Sequence, residues 1–145
     1  MIKCGGGDDG LYEDRKFQQN IQGALANGIQ VGVYFYSGAS NAREAYDEAS
    51  YCISLIRDYQ ITYPVAFDWE LDGDYDSVTE ACETFCNVIS SYGYQPMVYS
   101  NRNRWYNNFD GEKIASKYKV WMAAYFGKFY YCLLYTSDAA DEGLG

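Results

Sequence analysis

Residues 63–70 read Tyr63-Pro-Val-Ala-Phe-Asp-Trp-Glu70. Pro64 suits only the first positions of a strand, and the residues after it alternate in character. One face would carry Val65, Phe67 and Trp69, all apolar. The other would carry Ala66, Asp68 and Glu70. Residues i and i+2 of a strand point the same way with Cα atoms about 6.6 Å apart, at ~3.3 Å per residue. Two carboxyls therefore share one face at the C-terminal end of this strand, while its other face asks to be covered.

Outward from this strand, hydrophobic periods of about 2 and 3.6 residues alternate along the chain. Ile29-Gln-Val-Gly-Val-Tyr-Phe-Tyr36, Gln95-Pro-Met-Val-Tyr-Ser100 and Lys119-Val-Trp-Met-Ala-Ala-Tyr125 read as further strands, with a short one at Met1–Cys4. Residues 13–27 set Phe17, Ile21, Ala24 and Leu25 on one helical stripe that Gly28 ends. A second helix opens near Ser40 or Asn41, with Glu44 as capping partner, and buries Ala42, Ala45, Ala49, Cys52, Ile53 and Ile56. A third follows an Asp- and Gly-rich loop over 71–76. It opens with the capping box Ser77-Val-Thr-Glu80, buries Val78, Ala81, Cys82, Phe85, Ile89 and Tyr92, and stops at Gly93. A fourth is expected over 103–117, although Asn107, Asn108 and Gly111 interrupt it. Strands alternating with helices of this length imply an α/β fold with a parallel sheet and right-handed crossovers.

Strand parity favours a barrel over a doubly wound sheet. Gly32, Tyr34 and Tyr36 share a face, as do Ala66, Asp68 and Glu70, and Trp121, Ala123 and Tyr125. The opposite faces (Val31, Val33, Phe35; Val65, Phe67, Trp69) are uniformly apolar, as helix-covered faces should be. A barrel does this, with helices covering its outer face, its interior on the other, and its site at the C-terminal mouth of the strands.

Composition narrows the chemistry. The 145 residues hold 20 acidic and 11 basic side chains, no histidine, and a formal charge of −9. Absence of histidine removes Ser-His-Asp triads, Cys-His dyads and imidazole metal ligands together. The acidic balance argues against a nucleic-acid partner, which needs a basic face. No apolar run approaches the ~20 residues that span a bilayer, so no membrane partner is expected. Nor does Met1-Ile-Lys-Cys-Gly-Gly-Gly resemble a secretory leader. Five cysteines, Cys4, Cys52, Cys82, Cys86 and Cys132, are an odd number without a leader and read as buried free thiols rather than a disulfide framework. Cys82 and Cys86 would share a helix face, yet no second ligand pair stands near them for zinc, and no metal is expected.

The chemistry then rests on carboxylates and aromatics. Repulsion and burial raise one pKa of a close carboxyl pair, the arrangement that glycoside hydrolysis uses; a solvated pair at a strand end is the plainer alternative. Tyr34, Tyr36, Tyr99, Trp121 and Tyr125 fall at or near strand C-termini, where aromatic faces can hold sugar rings.

Several of these stretches, in order, resemble glycoside hydrolase family 25, the lysozyme-type muramidases of bacteria and their phages. They are Ile29–Ser37, Glu44-Ala45 with Glu48-Ala49, Tyr63–Glu70, Gly93-Tyr-Gln-Pro-Met-Val-Tyr-Ser100 and Val120-Trp-Met-Ala-Ala-Tyr125. Ile2-Lys-Cys-Gly-Gly, with Asp14, Phe17 and Asn20, is similar to the family's second strand and following helix. The resemblance implies a TIM-like (β/α)5(β)3 barrel that cleaves the β-1,4 bond after N-acetylmuramic acid in peptidoglycan. It implies Glu70 as general acid and Asp68 as its partner. Tyr34, Tyr99, Trp121 and Tyr125 match groove-lining aromatics of the family. Peptidoglycan glycan strands would be the partner, the protein a monomer needing no cofactor, and the parent's place of action extracellular, at the cell wall. Trp69 departs from the smaller aliphatic residue usual between the two acids and should face outward.

The resemblance covers roughly residues 1–126. The family's first strand, with its Asp, and its last strands are not matched, so a barrel fragment over 1–127 is expected. Such a fragment would have two bare parallel edges, marginal stability and weak activity. Tyr131-Cys-Leu-Leu-Tyr-Thr-Ser-Asp-Ala-Ala-Asp-Glu142 resembles translated sequencing-adapter read-through, and residues 128–145 are expected to lie outside the fold. A glycan-binding module without catalysis, and an acidic domain with an unrelated small-molecule site, stand as alternatives.

Overall fold

The computed structural model describes residues 1–71, 77–126 and 129–135, with side chains as far as residue 122. The chain runs β1 (Ile2–Gly6), β2 (Tyr12–Glu13), α1 (Phe17–Ala26), β3 (Val33–Ser37), α2 (Ala42–Ile56) and β4 (Val65–Trp69). It continues as α3 (Val78–Ser91), β5 (Pro96–Asn101), α4 (Arg102–Asn108), α5 (Gly111–Ala115), β6 (Lys119–Phe126) and β7 (Phe129–Tyr135). The strands form one sheet in the order β2-β1-β3-β4-β5-β6-β7. Within it β1, β3, β4, β5 and β6 are all parallel, each beside the one before it. This is the α/β organisation expected, and the strand order never reverses as it would in a doubly wound sheet.

Two expectations are corrected at the ends of this parallel block. The edges are not bare: β2 pairs antiparallel with β1, and β7 pairs antiparallel with β6. β7 is built from Phe-Tyr-Tyr-Cys-Leu-Leu-Tyr, a stretch expected to stay outside the fold. Its β-branched-poor but aromatic-rich composition still suits a pleated surface, and β6 offers it an unpaired ladder. The helix expected over 103–117 is two helices. Asn101 Oδ1 accepts the Arg104 amide at 2.9 Å to open α4, and Asp110 Oδ1 accepts the Lys113 amide at 3.2 Å to open α5. Asp110 is the N-cap of this second helix, which begins where Asn107, Asn108 and Gly111 interrupt the pattern.

The other helix ends follow local chemistry in part; Lys16 at the start of α1, like Ser77 below, makes no side-chain cap. Asn41 Oδ1 accepts the Glu44 amide at 2.9 Å, while Glu44 Oε1 accepts both the amide and the hydroxyl of Ser40. Gly28 and Gly93 sit at φ +70° and +89°, the left-handed turn that ends α1 and α3. Ser77, read as a capping-box residue, makes no side-chain cap, and Tyr92, read as core, is 65% exposed. Tyr92 lies past the last turn of α3, so the stripe has already rotated off the core there.

The core lies between the sheet and the helices. Val33 and Phe35, Val65, Phe67 and Trp69, and Val98 and Val120 are fully buried on the helix side. Phe85 of α3 packs against Phe35 and Phe67, with ring centroids 6.0 and 5.1 Å away. Phe17 and Ile21 of α1 and Cys52, Ile53 and Ile56 of α2 complete it. Trp69 faces these helices, as expected of it. Its indole N–H donates to the Ala39 carbonyl at 3.0 Å, and its ring meets Phe109 edge-on at 5.8 Å.

β1 and β2 approach so closely that a Cβ on Gly5 would overlap the Tyr12 carbonyl, which is backbone and cannot swing aside. Gly5→Ala is therefore expected to cost about 1–3 kcal/mol and lower the Tm by roughly 5–10 °C. Thermal unfolding followed by circular dichroism checks this; an unchanged Tm would show that β2 is not held there.

Candidate active site

Strand register assembles the site. Gly6 of β1 is opposite Tyr36 of β3, Tyr36 is opposite Asp68 of β4, Asp68 is opposite Tyr99 of β5, and Tyr99 is opposite Trp121 of β6. Four of the expected residues thus form one row across the sheet, on the face turned away from the helices. Tyr34 stands one step deeper on that face, opposite Ala66, and Glu70 follows immediately after β4. Tyr125 lies in β6, but its side chain falls outside the described residues.

Asp68 is the most constrained group of the row. Its side chain is buried, and among the described residues its Oδ1 has no hydrogen-bond partner. Burial first, then the Glu70 carboxyl beside it, push Asp68 up to about 9, against a smaller opposing pull from the Lys3 ammonium. At neutral pH Asp68 is therefore held protonated. Glu70 is half-buried beside the row. It is thus the member of the pair nearer to open solvent and to any incoming ligand.

The aromatics frame the pair. Tyr99 and Trp121 meet edge-to-face, centroids 5.1 Å apart at 80°, and both are half-buried, leaving ring surface on offer. Burial raises the phenols of Tyr34 and Tyr36, and the nearby charges of Asp68 and Glu70 add to this. Both therefore stay protonated hydrogen-bond donors around neutral pH.

Lys3 was not anticipated. Its Nζ lies 5.2 Å from the Tyr12 ring centroid and 5.1 Å from that of Tyr36. Burial works against its charge, but Tyr12, Asp14 and Tyr34 hold its pKa above the usual range. The Tyr12 hydroxyl donates to Asp8 Oδ1 at 2.9 Å. A single lysine within a glycine-rich strand was the available signal.

Glu48 is the other missed residue. From α2 its Oε1 accepts the Ser37 hydroxyl at 2.5 Å and its Oε2 accepts the Gly38 amide at 2.8 Å. Ser37 Oγ accepts the Ala39 amide at 3.0 Å in turn. Burial lifts this carboxyl to about 7 in spite of both hydrogen bonds. Glu48 thereby ties the C-terminal end of β3, just beyond Tyr36, to the helix behind it. It occupies the core stripe of α2 where Ala42, only half-buried, was expected.

This paired-carboxyl site on sequentially wound parallel strands coincides with a match to the model of glycosyl hydrolases family 25 over residues 1–132. The chain belongs to that family. It is 30% identical over 100 residues to the lysozyme of Streptococcus phage Cp-1, covering 66% of this chain and 29% of that protein. It is 33% identical over 101 residues to a D-alanyl-L-alanine endopeptidase of Streptococcus phage B30, covering 66% of this chain and 22% of the relative. The chain thus spans less than a third of either relative's length. Among solved structures, the modular autolysin LytC from Streptococcus pneumoniae matches with a TM-score of 0.70 and 26% identity, over 79% of this chain and 29% of that one. The family 25 match runs to residue 132, into β7, so the model and the last strand of the sheet overlap. No helix among the described residues is long and apolar enough to cross a membrane.

Proposed function

We propose that this family 25 domain is an N-acetylmuramidase, hydrolysing the β-1,4 bond between N-acetylmuramic acid and N-acetylglucosamine in peptidoglycan. The observation that carries this reading is the buried Asp68 carboxyl, held protonated beside Glu70 and set within the Tyr36–Tyr99–Trp121 row. A module that only grips glycan has no use for a carboxyl held protonated at neutral pH. Family 25 relatives include a lysozyme, and the LytC autolysin has been solved with a synthetic peptidoglycan ligand.

In this mechanism Glu70 delivers a proton, passed on from Asp68, to the glycosidic oxygen as the bond to the leaving sugar breaks. Asp68 then stands as the carboxylate that stabilises the oxocarbenium-like transition state or orients the neighbouring acetamido group. Tyr34 and Tyr36 donate hydrogen bonds to the glycan, while Trp121 and Tyr99, with Tyr125, present rings to its C–H faces. Neither a metal nor an organic cofactor enters these steps. The unreversed order of parallel strands supports an arc of a (β/α)5(β)3 barrel, with the site on its inner face. The proposed setting is the cell wall, and the proposed working form is a monomer.

Clearing of purified peptidoglycan, followed by labelling of the new reducing ends, tests the reaction. N-acetylmuramic acid at the new ends is the expected result; N-acetylglucosamine there, or binding without clearing, overturns it. Trp121→Ala is expected to weaken glycan binding roughly tenfold, since a ring contact of this kind contributes about 1 kcal/mol or more. Calorimetric titration with peptidoglycan fragments checks that number.

A further inference from the structure

Two of the buried thiols touch. Cys4, at the irregularity in β1 between Lys3 and Gly5, and Cys52, on the core face of α2, place their Sγ atoms 3.8 Å apart, and neither side chain is solvent-exposed. The Cys4 sulfur also lies 3.4 Å from the Tyr34 carbonyl oxygen. The residues are 48 apart in sequence, so only the docking of α2 on β1 brings them together. Bond formation needs the sulfurs to close by about 1.8 Å, within reach of side-chain rotation at two apposed elements. Cys82 and Cys86 differ in this respect. They sit one turn apart on α3, and i,i+4 positions on a helix hold their Cβ atoms about 5–6 Å apart, too far for a bridge without unwinding.

We propose that Cys4 and Cys52 are a cross-linking pair, forming a disulfide that fastens β1 to α2 when the domain folds in an oxidising medium. The oxidant is a small-molecule disulfide. A Cys4 or Cys52 thiolate attacks it, one of its sulfurs leaves as a thiol, and the second cysteine displaces the other from the mixed disulfide. Two electrons and two protons pass from the cysteines to the oxidant, which ends as two thiols.

In the folded dithiol the reaction is suppressed. The Cys4 contact and burial, with the Glu48 charge one turn away, push the Cys52 thiol well up, which leaves almost no nucleophilic thiolate. The bond is therefore made while β1 docks, not afterwards. What it fastens matters to the site, because β1 carries Lys3 to the face where Tyr36 and Asp68 stand.

The test is to refold the full chain in mixtures of reduced and oxidised glutathione, block remaining thiols by alkylation, and map tryptic peptides without reduction. Cys4 falls in peptide 4–15, Cys52 in 44–57, Cys82 and Cys86 together in 58–102, and Cys132 in 129–145, so the Cys4–Cys52 pairing has a mass of its own. The expected product is peptide 4–15 joined to 44–57, released by a phosphine reductant. The oxidised chain should also unfold roughly 5–10 °C above the reduced one, a difference absent from Cys52→Ala. Recovery of Cys4 and Cys52 as alkylated free thiols under oxidising conditions, or of Cys4 joined to another cysteine, overturns the proposal. The peptide map is made on the unaltered chain, so the outcome does not depend on the variant folding.

Discussion

Glu70→Gln is expected to lower the rate of peptidoglycan cleavage by about 10²–10⁴-fold, the usual contribution of a positioned general acid. Glutamine keeps the shape of the side chain but has no acidic proton to give to the leaving oxygen. Glycan affinity should change little, because Tyr36, Tyr99 and Trp121 keep their places in the register row. The loss should therefore fall on kcat and leave KM nearly alone. Turbidity loss of purified wall, measured beside fragment binding, separates these effects. The same comparison belongs in a chain extended with family-like flanking strands, so that the acid is judged in both settings. Retained clearing by Glu70→Gln in either one would remove Glu70 from the role of acid.

The second large effect concerns Asp68 and runs in opposite directions for activity and stability. Asp68→Asn should reduce cleavage by roughly 10²-fold or more, because an amide cannot stabilise a developing positive charge as a carboxylate can. Stability should nevertheless rise at neutral pH. Folding lifts the Asp68 pKa from its ordinary value of 3.8 to about 9, so the folded state holds a proton that the unfolded chain has lost. Below pH 4 both states carry it, and folding incurs no cost there. Between pH 4 and pH 9 the native chain alone binds the proton, so stability falls as pH rises. At pH 7 the asparagine variant escapes a penalty on the order of 4 kcal/mol. Glu48, lifted from 4.5 to about 7, slopes the same way over a narrower range in both proteins, so the difference between the two curves reports Asp68. Denaturant unfolding at pH 4 and pH 7 is the measurement. Equal stability of variant and wild type at both values would mean that Asp68 is ionised in the native state.

Much of this was legible because strands and helices announce themselves by period. Val65, Phe67 and Trp69 against Ala66, Asp68 and Glu70 separated the two faces of β4 without reference to any neighbour, and the same parity placed Tyr34, Tyr36 and Trp121. The alignment of Tyr36, Asp68, Tyr99 and Trp121 in one row was not legible, since register depends on how neighbouring strands slide against each other. Lys3 was hidden by the irregularity in β1, which breaks the alternation that parity reading relies on. Glu48 was hidden by its chemistry: a charged residue on a helix stripe reads as surface, and only Ser37 and the Gly38 amide make its burial tolerable. β2 is two residues long and has no period to detect. β7 was set aside because its sequence resembles translated sequencing-adapter read-through, although its aromatic residues suit a ladder that β6 left open.

The order of the parallel strands also bears on how the chain finds its structure. Val33 pairs with Val65, and Val65 with Pro96, each closing a loop of roughly thirty residues, while Met97 pairs with Lys119 over a shorter one, and none waits on a contact between distant ends. Loop-closure entropy is then met in nearly equal instalments, and each finished unit offers the next a template edge. Assembly can advance stepwise from the amino-terminal side, as it does in repeat arrays, where each unit chiefly contacts its neighbours. A kinetic record of such a chain would show early protection of amides in β3 and β4, with β6 following.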